Sequence, residues 1–230
     1  SCPGAVAEKT LEEVRKCNLA IEGNGEKTAE TVPTLEQVFD AIRGRVLMNV
    51  DIKLGVEELV KVVEIAEQMG VEGQIVIKNG TSTPEEVSAA RATLDRMKAK
   101  VIFMPILDDA KLGGLDRIEA AYAAFRPEAM EVLNRWDKTT PMTGDGGLNF
   151  STRARNMALT HDTHLWINTL FQGGTANISG GRGDPIAVGP GLVEDGWGFW
   201  VRAGATIFQT DEPEALIRYL DSKGLRKPYL

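Results

Sequence analysis

Long apolar runs are absent from this 230-residue chain. The longest stretches, such as 101–107, are strand-sized, far short of the roughly 18 residues that a membrane-spanning helix needs. Cysteine is scarce: Cys2 and Cys17 are too few for a disulfide scaffold, lack the spacing of a metal-binding pair, and say little about compartment. There is no basic excess, since 26 Lys and Arg stand against 33 Asp and Glu for a net charge of −7. That balance argues against nonspecific nucleic-acid binding. It leaves room for an anionic ligand held by a local positive cluster or a metal. No strand is followed by Gly-x-Gly-x-x-Gly and a helix, which weakens a dinucleotide-binding reading. The start, Ser1-Cys2-Pro3-Gly4, has neither an initiating Met nor a signal-peptide pattern and reads as a cut or processed end.

What is present suits one large globular domain over 1–230: 43% of residues are hydrophobic and 26% charged. From residue 34 onward apolar runs alternate with amphipathic stretches. Thr34-Leu35-Glu36-Gln37 is a capping-box start. Thr83-Pro84-Glu85-Glu86 joins an N-cap, a first-turn proline and acidic residues. The pattern predicts strands at 46–52, 74–78, 101–107, 129–133, 164–168 and 205–209, with helical stretches between them. Strands that are apolar throughout and separated by helices imply a parallel sheet buried on both faces. An open doubly wound sheet and a TIM (β/α)8 barrel with about six of its eight strands in this chain both fit. The positions after the strands favour the barrel, because Asp51, Lys53, Lys78, Glu131 and Asn168 lie at or near strand carboxyl ends, where a barrel gathers its chemistry.

Among these, Asp51 and Lys53 stand two apart and would share one strand face. Such a pair could hold a hard divalent cation and meet a phosphate oxygen, or could be a solvated ion pair. Lys78 either extends a positive rim or is a surface lysine. Glu131, inside an apolar run, either points into the barrel mouth beside a cation or pairs with Arg135 or Lys138. His161 and His164 lie at a strand entrance, away from the chemistry, and read as capping or solvated groups. Trp136, Trp197 and Trp200 read as packing residues, and Asp211 as a helix N-cap. The glycine-rich stretch 171–191 is a phosphate cradle, a lid, or a solvated insertion more mobile than the strands. Its Arg-Gly-Asp triplet reads as accidental.

Thr31-Val32-Pro33-Thr34-Leu35-Glu36-Gln37-Val38-Phe39, followed by Leu47-Met48-Asn49-Val50-Asp51-Ile52-Lys53, resembles the glycerophosphodiester phosphodiesterases. Leu165-Trp166-Ile167-Asn168 is similar to that family's Trp-x-x-Asn region, with closer spacing, and residues 204–213 are similar to its closing strand and helix start. The likeness spans about residues 10 to 222. It implies a TIM barrel that hydrolyses a small phosphodiester with a divalent metal, Mg or Ca. Asp51 would be a metal ligand in place of the more frequent Glu, Lys53 would contact the substrate phosphate, and Trp166 would line the cleft. From their strand-end positions rather than from the likeness, Glu131 is expected beside the cation, and Lys78 and Asn168 at the substrate.

The family's His-Arg-Gly, Glu-x-Asp and His-Asp motifs, with both catalytic histidines, are not in this chain. The catalytic residues are therefore unknown, and the first two strands are expected from the same polypeptide or a partner. Two other readings stay open. One is a noncatalytic phosphate- or polyol-binding barrel. The other is a phosphate-handling isomerase or aldolase using Lys53 or Lys78 as base or Schiff-base amine.

Overall fold

The computed structural model describes residues 2–21, 24–170 and 178–226. A short helix α1 (Leu11–Arg15) leads to a hairpin of β1 (Asn18–Ala20) and β2 (Lys27–Thr31), then α2 (Leu35–Ile42). The repeating part follows as β3 (Met48–Val50), α3 (Val56–Gln68), β4 (Ile75–Gly80), α4 (Pro84–Leu94), β5 (Ile102–Asp108), α5 (Leu115–Phe125) and β6 (Ala129–Leu133). It continues with α6 (Thr152–Thr160), β7 (His164–Asn168), α7 (Asp184–Val188), α8 (Trp197–Ala203), β8 (Ile207–Gln209) and α9 (Pro213–Ser222). Among the described residues no helix is long and apolar enough to cross a membrane.

Local signals set the helix starts. Thr34 accepts from the Gln37 amide while the Gln37 side chain accepts from the Thr34 amide, a closed capping box. Thr83 accepts from the Glu86 amide, with Pro84 in the first turn.

Six strands, β3 to β8, pair in parallel in strict chain order and form a curled half-barrel sheet flanked by helices. An order that never reverses has no switch point of the doubly wound kind. The helices cover a single face. Val50, Ile75 and Ile77 pack with Phe39, Leu59, Val63 and Ala66 of α2 and α3. Leu107, Met130, Val132, Leu165 and Ile167 pack with Ile118, Tyr122, Ala154, Ala158 and Trp200 of α5, α6 and α8. The alternate residues share the other face. In register, Asn49 lies beside Val76, Lys78 beside Met104, Ile106 beside Glu131, Glu131 beside Trp166, and Asn168 beside Gln209. Met104 on that concave face is fully buried and Val76 nearly so.

Two expectations need correction. The first strand is Met48–Val50, not 46–52, so Asp51 and Lys53 follow its end and Val46 and Leu47 are exposed. Cys2 and Cys17, read as uninformative, are joined by a disulfide across the amino-terminal segment.

Candidate functional site

Four of the six residues singled out for chemistry meet on the concave face. Lys78 on β4 reaches past β5, and its Nζ donates to Glu131 Oε2 on β6 at 2.8 Å. Asn168 Nδ2, at the end of β7, donates to Glu131 Oε1 at 2.7 Å. Trp166 Nε1 donates to Asn168 Oδ1 at 2.8 Å. The Lys78 and Glu131 side chains retain only 8% and 5% of their exposure. Desolvating two charges costs several kcal/mol per ion and is offset only by good geometry and further hydrogen bonds. The Asn168 amide supplies that further bond. Glu131 thus finds its cation in Lys78, rather than in Arg135 or Lys138.

Asp51 and Lys53 stand apart from that network. Lys53 Nζ donates to Asp51 Oδ2 at 2.8 Å, with side chains 81% and 48% exposed. An exposed pair of this kind contributes about 0–1 kcal/mol.

The residues offer little to the divalent cation that the resemblance implies. Both oxygens of Glu131 are engaged, one by an ammonium group that would repel a second cation. Among the described residues no three His, Cys, Asp or Glu side chains cluster as a metal site. A hard divalent cation takes about six to eight oxygen ligands. Asp51 alone could give one carboxylate, so the donor set in hand does not fit the ion.

A second polar layer lies at the strand ends. Arg135, after β6, grips Asp108 at the end of β5 through Nε at 2.8 Å and Nη2 at 2.6 Å. That guanidinium holds the Asp108 carboxyl below its ordinary range. Burial pushes the neighbouring Asp109 carboxyl up, although it accepts the Arg135 backbone N–H. Ser82 Oγ accepts from the Asp108 amide at 2.8 Å and locks the β4 and β5 ends together.

The glycine-rich stretch is corrected from residue 178 onward; 171–177 lie outside the described residues. Ser179 bridges to Asn134 in a parallel step, and Ser179, Gly180, Gly181 and Gly183 are buried. Residues 179–187 are packed and are neither a solvated insertion nor an open cradle, while 188–191 are exposed. Gly180 and Gly181 adopt φ of +59° and +84°, and a Cβ would meet Thr143 or Met142. Both charged residues of the Arg-Gly-Asp triplet have partners within the fold. Arg182 stacks on the Phe199 ring and donates to the Thr143 and Asp195 carbonyls. Asp184, fully buried, accepts from Thr169 and Trp197 on one oxygen and from Thr210 and the Asp211 amide on the other. Asp211 therefore tethers this loop through its backbone, while Glu212 occupies the N-cap position of α9.

His161 and His164 lie at the opposite end of β7 from Asn168. His161 ends α6 and stacks on Tyr122, and His164 Nδ1 meets Thr206 Oγ1 at 2.9 Å. Trp197 and Trp200 are core residues, and the Trp136 ring lies against Gly181. The Asp108–Arg135 pair and Asp184 escaped the sequence reading. Arg-Gly-Asp followed by Pro, with Trp197 and Thr210 downstream, was the available signal for Asp184.

A family model described as a domain of unknown function, DUF4996, matches residues 103–220, just over half of the chain. The match takes in Glu131, Trp166, Asn168 and Asp184 and leaves Asp51, Lys53 and Lys78 outside. No curated protein matches the chain.

Proposed function

The chain belongs to the DUF4996 family of unknown function, and from that premise we propose that it is the larger part of a glycerophosphodiester-type phosphodiesterase barrel. The observation that carries this reading is the convergence of Lys78, Glu131, Asn168 and Trp166 on the concave face toward the strand carboxyl ends. The ordered motifs between residues 10 and 222 supply the substrate class.

The reaction is attack of water on phosphorus, cleavage of the bond to the alcohol oxygen, and transfer of a proton to that oxygen. Lys53, an exposed ammonium beyond β3, meets the phosphate, and Trp166 walls the alcohol portion. Asp51 would give at most one carboxylate to a divalent cation, whose remaining ligands would have to come from outside the described residues. The proton-transfer groups come from strands that complete the barrel between β8 and β3, from the same polypeptide or a partner. Two buried oxygens support that closure. Asn49 Oδ1 on β3 and Gln209 Oε1 on β8 have no hydrogen-bond partner among the described residues, and both belong to the concave face.

A second reading, a noncatalytic phosphate- or polyol-binding barrel, is favoured by one observation. The inner ion pair neutralises itself, and both histidines sit at the far end of β7 or beyond it.

The test is release of glycerol phosphate from a glycerophosphodiester, by the 230-residue chain and by the complete product of its gene. We expect chelator-sensitive hydrolysis by the complete product, its loss in Asp51→Ala and Lys53→Ala, and none by the 230-residue chain. Because the Asp51–Lys53 pair is exposed, neither substitution should change stability by more than about 1 kcal/mol. Binding of the diester without hydrolysis, in every form and with divalent cation present, would establish the second reading instead.

A further inference from the structure

We infer that Glu131 is a positioning residue: it sets the rotation of the Asn168 amide and thereby holds the Trp166 ring in place, with Lys78 compensating its charge. The chain of contacts runs Lys78 Nζ to Glu131 Oε2, Glu131 Oε1 to Asn168 Nδ2, and Asn168 Oδ1 to Trp166 Nε1, at 2.8, 2.7 and 2.8 Å. Each link has only one chemical polarity. An ammonium and an indole N–H only donate, an ionised carboxylate only accepts, and an amide offers one donating and one accepting end.

An asparagine amide can turn by half a rotation at little steric cost, so its orientation is decided by its partners. Glu131 takes the NH2 end and leaves the oxygen facing Trp166. No other assignment satisfies all four groups. A side chain on β6 with no acceptor would leave the indole bond as the amide's single anchor among these contacts, so the amide could swing away and expose the Trp166 N–H. Lys78 acts one step further back, because a carboxylate only 5% exposed needs a compensating charge to remain there without distortion.

The consequence for recognition is specific. The indole N–H of Trp166 is already used, so a ligand on the concave face meets the ring and not the N–H. The contact therefore selects the carbon-bearing side of an alcohol portion over a hydrogen-bond acceptor. This consequence rests on the reading of Trp166 as a wall of the substrate cleft; the relay itself does not.

The test uses the 230-residue chain with 15N-labelled tryptophan. The Trp166 indole resonance is identified by its disappearance in Trp166→Phe. Two double variants remove both buried charges and differ only at the acceptor: Lys78→Met/Glu131→Gln keeps a carbonyl oxygen for Asn168, and Lys78→Met/Glu131→Leu does not. Dropping both charges together avoids stranding either, and far-UV circular dichroism checks that both variants are folded. Trp197 and Trp200 serve as internal controls, since they donate to Asp184 and to the Arg182 carbonyl. We expect solvent exchange of the Trp166 indole hydrogen at least tenfold faster in the Leu variant than in the Gln variant, with the two controls unchanged. Equal Trp166 exchange in the two variants would overturn the relay.

In the complete gene product, KM for a glycerophosphodiester should be about tenfold higher in the Leu variant. Equal KM values would overturn the recognition role. If no form hydrolyses the diester, the phosphodiesterase reading and the recognition role it carries fall, while the exchange comparison still decides the relay.

Discussion

Replacing Asp184 by alanine should be among the most destabilising single changes in this chain. The carboxylate is fully buried and accepts four hydrogen bonds, from Thr169 Oγ1 and Trp197 Nε1 at 2.7 Å and from Thr210 Oγ1 and the Asp211 amide at 2.8 Å. The two hydroxyls can adapt, and Thr169 keeps the Gln209 carbonyl as an acceptor. The Trp197 indole N–H and the Asp211 amide cannot turn. Stranding a buried donor costs about 1–3 kcal/mol, or about 2–6 for the two. Removing the carboxylate also removes its own desolvation cost, which argues for the lower half, about 2–4 kcal/mol. For a chain of this length that corresponds to a melting shift of about 4–16 °C. Asp184→Asn should fall in between, because its oxygen serves Thr169 and Trp197 while its NH2 group opposes the Asp211 amide. Urea unfolding followed by tryptophan fluorescence measures the series. Alanine within about 0.5 kcal/mol of the unmodified chain, the range of an ordinary surface change, would refute the reasoning.

Gly180→Ala should cost about 1–3 kcal/mol in the same assay, since the new Cβ would run into Thr143 Cγ2 on a backbone with φ of +59°; a neutral result would mean that the turn relaxes freely. Reducing the Cys2–Cys17 disulfide, which closes a separation of 15 residues, should remove about 3 kcal/mol of constraint from the amino-terminal segment. Neither helical piece of that segment has buried residues, so hydrogen exchange should accelerate there and stay unchanged in β4 to β7. The two aspartates at the β5 end should respond to pH with opposite sign. Asp108, lowered by Arg135, contributes stability above its ordinary value of 3.8 that is lost as pH falls through the folded-state value. Asp109, raised by burial, favours the fold below 3.8 and loses that contribution as pH rises through its raised value. Asp109→Asn should therefore gain stability relative to the unmodified chain as pH rises from about 3 to 7, measured by urea midpoints, and a constant difference would contradict the assignment.

Apart from α7, the order of elements from residue 34 to 222 is legible in the sequence because its causes are local. The capping box at Thr34, the Thr83-Pro84 start and the apolar runs at 74–78, 101–107 and 129–133 act over a few residues, and the structure places elements there. The hairpin of β1 and β2 was not legible. Its second strand, Lys-Thr-Ala-Glu-Thr, is almost wholly exposed and carries no apolar alternation to reveal it. Strand ends were misjudged for a related reason: Val46 and Leu47 continue the apolar run, but only pairing with β4 decides where β3 begins.

The sequence by itself determined which side chains were available for chemistry: an acid and a lysine after β3, a lysine at the end of β4, an acid inside β6, and a tryptophan and an amide on β7. Only the tertiary structure decided how they combine. Lys78 and Glu131 are 53 residues apart, and Glu131 and Asn168 a further 37. Their meeting depends on strand order, register and curl, which set the alternate faces of β4, β6 and β7 around one concavity. The same holds for Asp184, whose donors come from residues 169, 197, 210 and 211. A helix cap is settled by atoms three residues away, whereas a buried charge takes whichever partner the sheet brings within about 3 Å, because leaving it unpaired costs more than any local preference can supply.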